Sequence, residues 1–294
     1  MLRELKQLEP SDFPPLLREI PDAPKRLYLR GELPPSEYKW LAVVGSRACT
    51  SYGRRVVQYL IDGLRGYPVV IVSGLAYGMD TEAHRAALSA GLLTVAVPGS
   101  GLDWSVLYPK ANHALAQEIL EKGGAHLSEE QPTARAMHYM FPKRNRIMAG
   151  MTHATLMVEA KGKSGSLITA KLTAEYNREL LVVPGSIFSE ESKGTHQFLR
   201  MGATAVTSPE DILVAPLQSA AAAVPASPQR TTENLRELSR SAVRQALEES
   251  RGNISEAARR LGISRQTLYR KLSEGGRIAT QPVGQAATAS GFPG

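Results

Sequence analysis

The chain has 294 residues, room for about two domains that each bury a core. Its single cysteine, Cys49, excludes an internal disulfide and a multi-cysteine metal cluster, six scattered histidines show no zinc spacing, and no apolar run approaches the roughly 18 residues of a membrane span. A net charge of +7 favours a polyanionic partner, and the N-terminal MLRELKQLEP alternates charge with leucine where a signal peptide needs an apolar stretch, so a cytoplasmic location is expected.

Residues 1–37 are proline-rich with few strand signals and are expected as a short helical lead-in. From there, short β-branched runs recur: LAVVG (41–45), PVVIVSG (68–74), LLTVAVPG (92–99), ATLMVEA (154–160), LLVVPG (180–185) and ATAVT (203–207). Helix-period segments lie between them, at about 53–65, 80–90, 112–122, 167–178 and 193–201. Repeated βα units of this kind predict an α/β fold, a doubly wound and mostly parallel sheet over residues 38–213, with ligands at the C-terminal ends of its strands. Residues 214–232, rich in Ala, Pro, Ser and Gln, read as a flexible linker that spans about 20–25 Å as a coil. A small domain at 233–278 and a disordered tail at 279–294 complete the expected organisation.

Three loops at strand ends carry phosphate-binding chemistry. In VVGSRACTSYG (43–53), Gly45 permits a tight turn, Ser46 offers a hydroxyl and Arg47 sets a permanent cation near the free amides of the next helix. The GxGxxG spacing is missing, as is an acidic residue about 20 positions on, so an ordinary dinucleotide site fits poorly. FPKRNRIMAG (141–150) sets Phe141 beside Lys143, Arg144 and Arg146. EAKGKSGSLITAK (159–171) places Lys163, Ser164, Gly165 and Ser166 before a helix whose first turn has unpaired N–H groups. Each loop also has a plainer reading: a βα turn with a surface arginine, a helix-start core phenylalanine with a basic exposed face, and a serine helix cap with solvated lysines. Brought to one edge, the three make a cationic track with an aromatic ring for an unpaired base, which is single-stranded nucleic acid chemistry; a duplex hides its base faces.

Catalysis is not expected. Neither PGSGLD from Pro98 nor PGSIFS from Pro184 supplies the PGGxGT loop of related nucleotide hydrolases, and Glu159, Asp103 and Glu129 carry no signal that pairs two of them for acid–base work. No cofactor or metal is expected either.

In order along the chain, VVGSR…YG, VSGLAYGMDTEAHRAAL, VAVPGSGLD…YP, SEEQP…FPKRNRIMAG, VEAKGKSGSLITAKLTAEYNRELLVVPGSI and KGTHQFLRMGA resemble the DNA-processing protein A family (DprA, also called Smf) over residues 13–213. The resemblance implies an extended Rossmann fold that binds single-stranded DNA, forms a homodimer, protects incoming DNA and helps load a RecA-type recombinase during natural transformation. It carries DNA contacts over to Gly45, Ser46 and Arg47, to Phe141, Lys143, Arg144, Asn145 and Arg146, and to Lys163, Ser164, Gly165 and Ser166. One departure is Tyr77, where the family often has arginine; Gly74, Gly78 and Asp80 are kept. Asp80 reads as a structural cap of the helix from Thr81, and His84 as a packed or hydrogen-bonded residue.

In GNISEAARRLGISRQTLYRKL (252–272), Ala257, Ala258, Leu261, Ile263, Leu268 and Leu272 fall at helix-turn-helix core positions with Gly262 in the turn. Arg265, Gln266, Thr267, Arg270 and Lys271 then lie on a recognition helix as candidate contacts to duplex DNA, while assembly through the same shape is the alternative. The segment resembles the factor-for-inversion-stimulation (Fis) type; relatives of the large domain more usually carry a winged helix. A rival reading of the whole chain is a nucleotide-binding Rossmann enzyme or sensor fused to a DNA-binding regulatory domain.

Overall fold

The computed structural model describes residues 4–214 and Ser250. The chain divides into two compact units, Met1–Ala223 and Val224–Gly294, and every element below belongs to the first. The helix-turn-helix segment with Arg265, Gln266, Thr267, Arg270 and Lys271, the tail, and the linker beyond Val214 lie outside the described residues.

In chain order the first unit runs β1 (Leu5–Leu8), α1 (Pro15–Arg18), β2 (Leu27–Gly31), β3 (Lys39–Val44), α2 (Ser51–Asp62), β4 (Val69–Ser73), α3 (Met79–Ser89), β5 (Leu93–Ala96) and α4 (His113–Glu121). It continues with β6 (Ala125–Ser128), α5 (Met140–Met151), β7 (Ala154–Met157), α6 (Ser166–Glu175), β8 (Glu179–Val182), α7 (Lys193–Arg200), β9 (Thr204–Ala205) and α8 (Pro209–Val214). Among the described residues, nine strands form one sheet in the order β1-β2-β6-β5-β4-β3-β7-β8-β9. From β6 to β9 all pairs are parallel. The chain winds outward from β3 in one direction through β4, β5 and β6, and in the other from β7 through β8 and β9. The order therefore reverses between β3 and β7, where an open α/β sheet leaves a crevice at its strand ends.

Both sheet faces are covered, which explains the nearly continuous apolar strands. In β3 the side chains alternate: Leu41 and Val43 join Val57, Leu60, Ile61 and Ala83 on one face, while Trp40 and Val44 join Ile147, Met148, Met151 and Phe198 on the other. The predicted strands and helices of the parallel part appear with ends shifted by a few residues. Helix α2 starts before the expected position because the Thr50 hydroxyl accepts from Gly53 N (3.2 Å), a side-chain cap that sets the first turn.

Several regions differ from expectation, among them β6, where no strand was expected. The lead-in holds one short α-helix but also β1 and β2: β1, at the sheet edge, runs antiparallel to β2, and β2 runs antiparallel to β6. Its helix α1 packs on α5: Gly150 sits so close to Ile20 and Leu17 that an added methyl group would lie 2.8 Å from an Ile20 carbon. The segment 141–150, read as a loop, is the body of α5. Pro142 is tolerated there because the N–H it lacks belongs to the first turn, which has no intrahelical acceptor in any case.

Candidate nucleic-acid interface

A cavity of about 400 Å³ opens at the β3/β7 switch point. Its walls are the loop after β3, the first turns of α5, and the loop after β7 that leads into α6. Gly45, Ser46, Arg47, Phe141, Arg144, Asn145, Lys163, Ser164, Gly165 and Ser166 all line it, so residues up to 121 positions apart in sequence, from Gly45 to Ser166, meet in one place. Lys143 and Arg146 are not among its lining residues.

Buried Glu159, just past β7, ties the first loop to the third. Its carboxylate accepts from Thr50 N (2.9 Å) and Thr50 Oγ1 (2.6 Å), and it packs against Gly53, where a side chain would collide with it. Gly45 is required by close approach as well: a methyl group there would lie 2.7 Å from Met79 Cγ. Ser46 is buried; its hydroxyl accepts from Ala48 N and its carbonyl from Met79 N, so the turn that presents Arg47 is fixed from both sides. Arg47 itself is exposed, with its guanidinium carbon 5.1 Å from the centroid of the Phe141 ring. Phe141 rests on Gly99, where a methyl group would lie 2.5 Å from a ring carbon.

The cations of α5 have quite different surroundings. Arg144 is only 7% exposed, and its Nη1 donates to the carbonyl oxygens of Gly74 (2.8 Å) and Val97. Burial lowers its pKa to about 10 against the opposing attraction of Asp80; burial likewise pushes the Asp80 carboxyl up, against Arg144 and the Ala76 N–H. The two side chains meet over the bare Cα of Gly74. Arg146 makes a two-pronged bond from Nη2 to the Glu129 carboxylate (2.8 and 2.7 Å) and lies 3.5 Å from Asp22. Lys143 bridges Glu130 (3.0 Å) and Glu129 (3.3 Å). Asn145, also buried, donates to the Gly165 carbonyl at 3.4 Å and so braces the third loop against α5.

In that third loop Ser164 Oγ bonds Ser166 Oγ (2.7 Å) and accepts from Ser166 N (3.3 Å), which orders the start of α6. A side chain on Gly165 would meet nothing within 4 Å, so its bareness leaves open space in front of the helix. Lys163 is exposed beside it. Lys161, not singled out from the sequence although it stands in the same motif, also lines the cavity and pairs with Glu191 at 3.2 Å. Among the described residues, then, the lining cations without an acidic partner are Arg47 and Lys163. His138 lines the cavity too, and no pattern in the sequence marked it.

The carboxylates at strand ends are engaged separately. Glu159 holds Thr50, Glu129 holds Arg146 and Lys143, and Asp103 accepts from Ser105 N and Oγ. Asp80 accepts from Ala76 N (3.2 Å), inside the first turn of α3, and His84 is fully buried with Nδ1 2.7 Å from Thr94 Oγ1. Since that hydroxyl donates to the Ile71 carbonyl, Nδ1–H is the donor to it. Among the described residues, no group of three or more His, Cys, Asp or Glu is placed to hold a metal ion, and no helix is long and apolar enough to cross a membrane.

Comparison with known proteins agrees with this architecture. A family model described as DNA recombination-mediator protein A matches residues 5–216, and one described as bacterial regulatory protein, Fis family, matches residues 234–275. The DNA processing protein DprA of Streptococcus pneumoniae is 45% identical over 201 residues, 68% of this chain and 70% of the relative. Protein Smf of Escherichia coli is 42% identical over 209 residues, 70% of this chain but 55% of the longer relative. The solved structure of DNA processing protein A from Helicobacter pylori, reported for its single-stranded DNA binding mode, superposes with a TM-score of 0.65 at 28% identity, covering 74% of this chain and 99% of that one. With a cavity at the switch point and residues 5–216 matched, and with residues 234–275 similar to the Fis-family model, the chain belongs to the DNA recombination-mediator protein A family.

Proposed function

We propose that this protein binds single-stranded DNA at the β3/β7 cavity and delivers it to a RecA-type recombinase, protecting strands taken up in natural transformation. One observation carries the reading: the Arg47 guanidinium lies over the Phe141 ring in the lining of a cavity that the exposed Lys163 also lines. Phosphate oxygens find Lys163, the hydroxyls of Ser164 and Ser166, and the open helix start at Gly165. The Arg47 guanidinium, backed by Phe141, meets a phosphate with its N–H groups and offers its flat face to the adjoining base. The carboxylates sit apart, each bound to its own structural partner, which supports a mediator over an enzyme. A cytoplasmic homodimer is the working form in this reading. The segment 233–278, with Arg265, Gln266, Thr267, Arg270 and Lys271, would contact duplex DNA or a protein partner.

The rival, a nucleotide site, draws on the size of the cavity, since about 400 Å³ falls within the small-ligand range. Titration of a labelled oligonucleotide separates the two. Binding of single over double strands, weakening by about 0.7 log units per log unit of salt for each phosphate contacted, is the expected result. Displacement of the oligonucleotide by a mononucleotide at its own tight affinity would install the rival instead.

A further inference from the structure

Tyr77 and Tyr108 are not among the residues that line the cavity. They are 45% and 42% exposed, and with Phe141 they form a row: Tyr77 to Tyr108 at 6.4 Å and 85°, Tyr108 to Phe141 at 6.0 Å and 64°, all edge-to-face. Phe141, the inner member, is packed on Gly99 and lies beneath Arg47. The outer two are the rings of the row with large open surface. An isolated exposed tyrosine needs no explanation, but two that continue a row from the lining of a cationic cavity are placed for something flat.

Both rings are held on rigid backbone. The turn at Tyr77 runs through Leu75 and Gly78 at positive φ (60° and 72°). It is pinned by Ala76 N to Asp80 (3.2 Å), Thr81 Oγ1 to the Ala76 carbonyl (2.8 Å), and Asn112 Nδ2 to the Leu75 carbonyl (2.7 Å). Tyr108 N donates to Ser100 Oγ at 3.2 Å. Less freedom is lost when a ligand stacks on rings already oriented, which is what a stacking platform requires.

We infer that Tyr77 and Tyr108 are base-stacking residues that extend the single-strand site outward from Arg47 and Phe141, one ring after another, to nucleotides beyond the cavity. The inference rests on the single-strand reading above and names which residues read the bases. It commits to unpaired bases as the occupant because the row is continuous with the cationic cavity and because any base offers a π face whatever its sequence. The inner contacts hold the backbone by charge; the outer ones hold bases without it. Loss of a ring should therefore weaken binding while leaving the salt dependence unchanged.

The test uses the full chain, a labelled oligothymidylate, and an abasic deoxyribose-phosphate oligomer of equal length. Tyr77→Leu and Tyr108→Leu keep apolar bulk without a flat ring; Tyr77→Phe and Tyr108→Phe keep the ring. The expected result is a loss of about five- to tenfold on oligothymidylate for each leucine variant, at the lower end of base–aromatic stacking. The abasic oligomer should bind all variants alike, the phenylalanine variants should match the wild type, and melting temperatures should stay together. Normal oligothymidylate binding by both leucine variants, an equal loss on the abasic oligomer, or a change in oligomeric state in place of affinity would overturn the inference while the wild type still bound. Failure of the wild type to bind either strand would instead remove the single-strand reading and this inference with it.

Discussion

The start of α5 and the two strand-end loops carry the same side chains to different ends. Lys143, Arg144 and Arg146 form the densest basic run in the first unit, yet Arg146 is held by Glu129 and Asp22, Lys143 by Glu129 and Glu130, and Arg144 by buried carbonyls near Asp80. Among the described residues, the lining cations without an acidic partner are Arg47 and Lys163, the latter two residues from the paired Lys161. Local density of charge is thus a poor guide to the charge a ligand meets. What counts is whether the fold has already supplied a counter-ion.

The largest effect that tests this contrast is Arg144→Ala. Removing one partner of a buried charge pair leaves Asp80 uncompensated, and about 3–5 kcal/mol of stability should be lost in denaturant titration. A variant as stable as the wild type would mean that Arg144 is free for a ligand, and the contrast would fall.

Acidification addresses the scaffold alone. Burial lowers the pKa of His84 to about 3 and, with the Ala116 hydrogen bond opposing, that of His126 to about 4, both from 6.5. Between 6.5 and 4 the unfolded chain binds more protons than the folded one, so stability is whole above about pH 6.5 and falls toward pH 4, by a few kcal/mol. Thermal unfolding as a function of pH reads this; a midpoint that holds steady down to pH 4 contradicts the burial of both rings.

A smaller change is expected for Arg47→Ala, which should cost about tenfold in oligonucleotide affinity, reduce the salt slope by about 0.7, and shift stability by less than about 0.5 kcal/mol. An unchanged slope would remove Arg47 from the phosphate contacts. Smallest of all is Lys143→Ala. Its exposed bridges are worth about 0–1 kcal/mol, and oligonucleotide affinity should stay within about twofold of the wild type. A loss as large as that for Arg47 would show that the lysine leaves its carboxylates for DNA.

Much of the fold is legible in the sequence, and where reading fails the cause is physical. The parallel strands were readable because strands covered on both faces are apolar throughout. Strand β6 (Ala125–Ser128) was not, since two of its four residues are polar and become buried only by tertiary bonds, His126 to the Ala116 carbonyl and Ser128 to the Ser100 carbonyl. The antiparallel strands β1 and β2 are short, β1 at the sheet edge is partly exposed, and proline around them suggested a different structure. In α5, Pro142 and the basic run masked a helix whose later turns are almost wholly buried.

The sequence by itself determined the βα alternation, the three glycine-bearing motifs at strand and helix ends, and the residue types able to meet phosphates and bases, because these depend on local period and side-chain chemistry. Tertiary structure decided which of those residues are available. The acceptors that engage Arg146, Lys143 and Arg144 lie 17, 13 and 47 to 70 positions away, and the aromatic row joins Tyr77, Tyr108 and Phe141 from three separate segments. Pairing and exposure are properties of what the fold brings alongside a side chain, and that proximity is set by the order of the strands in the sheet.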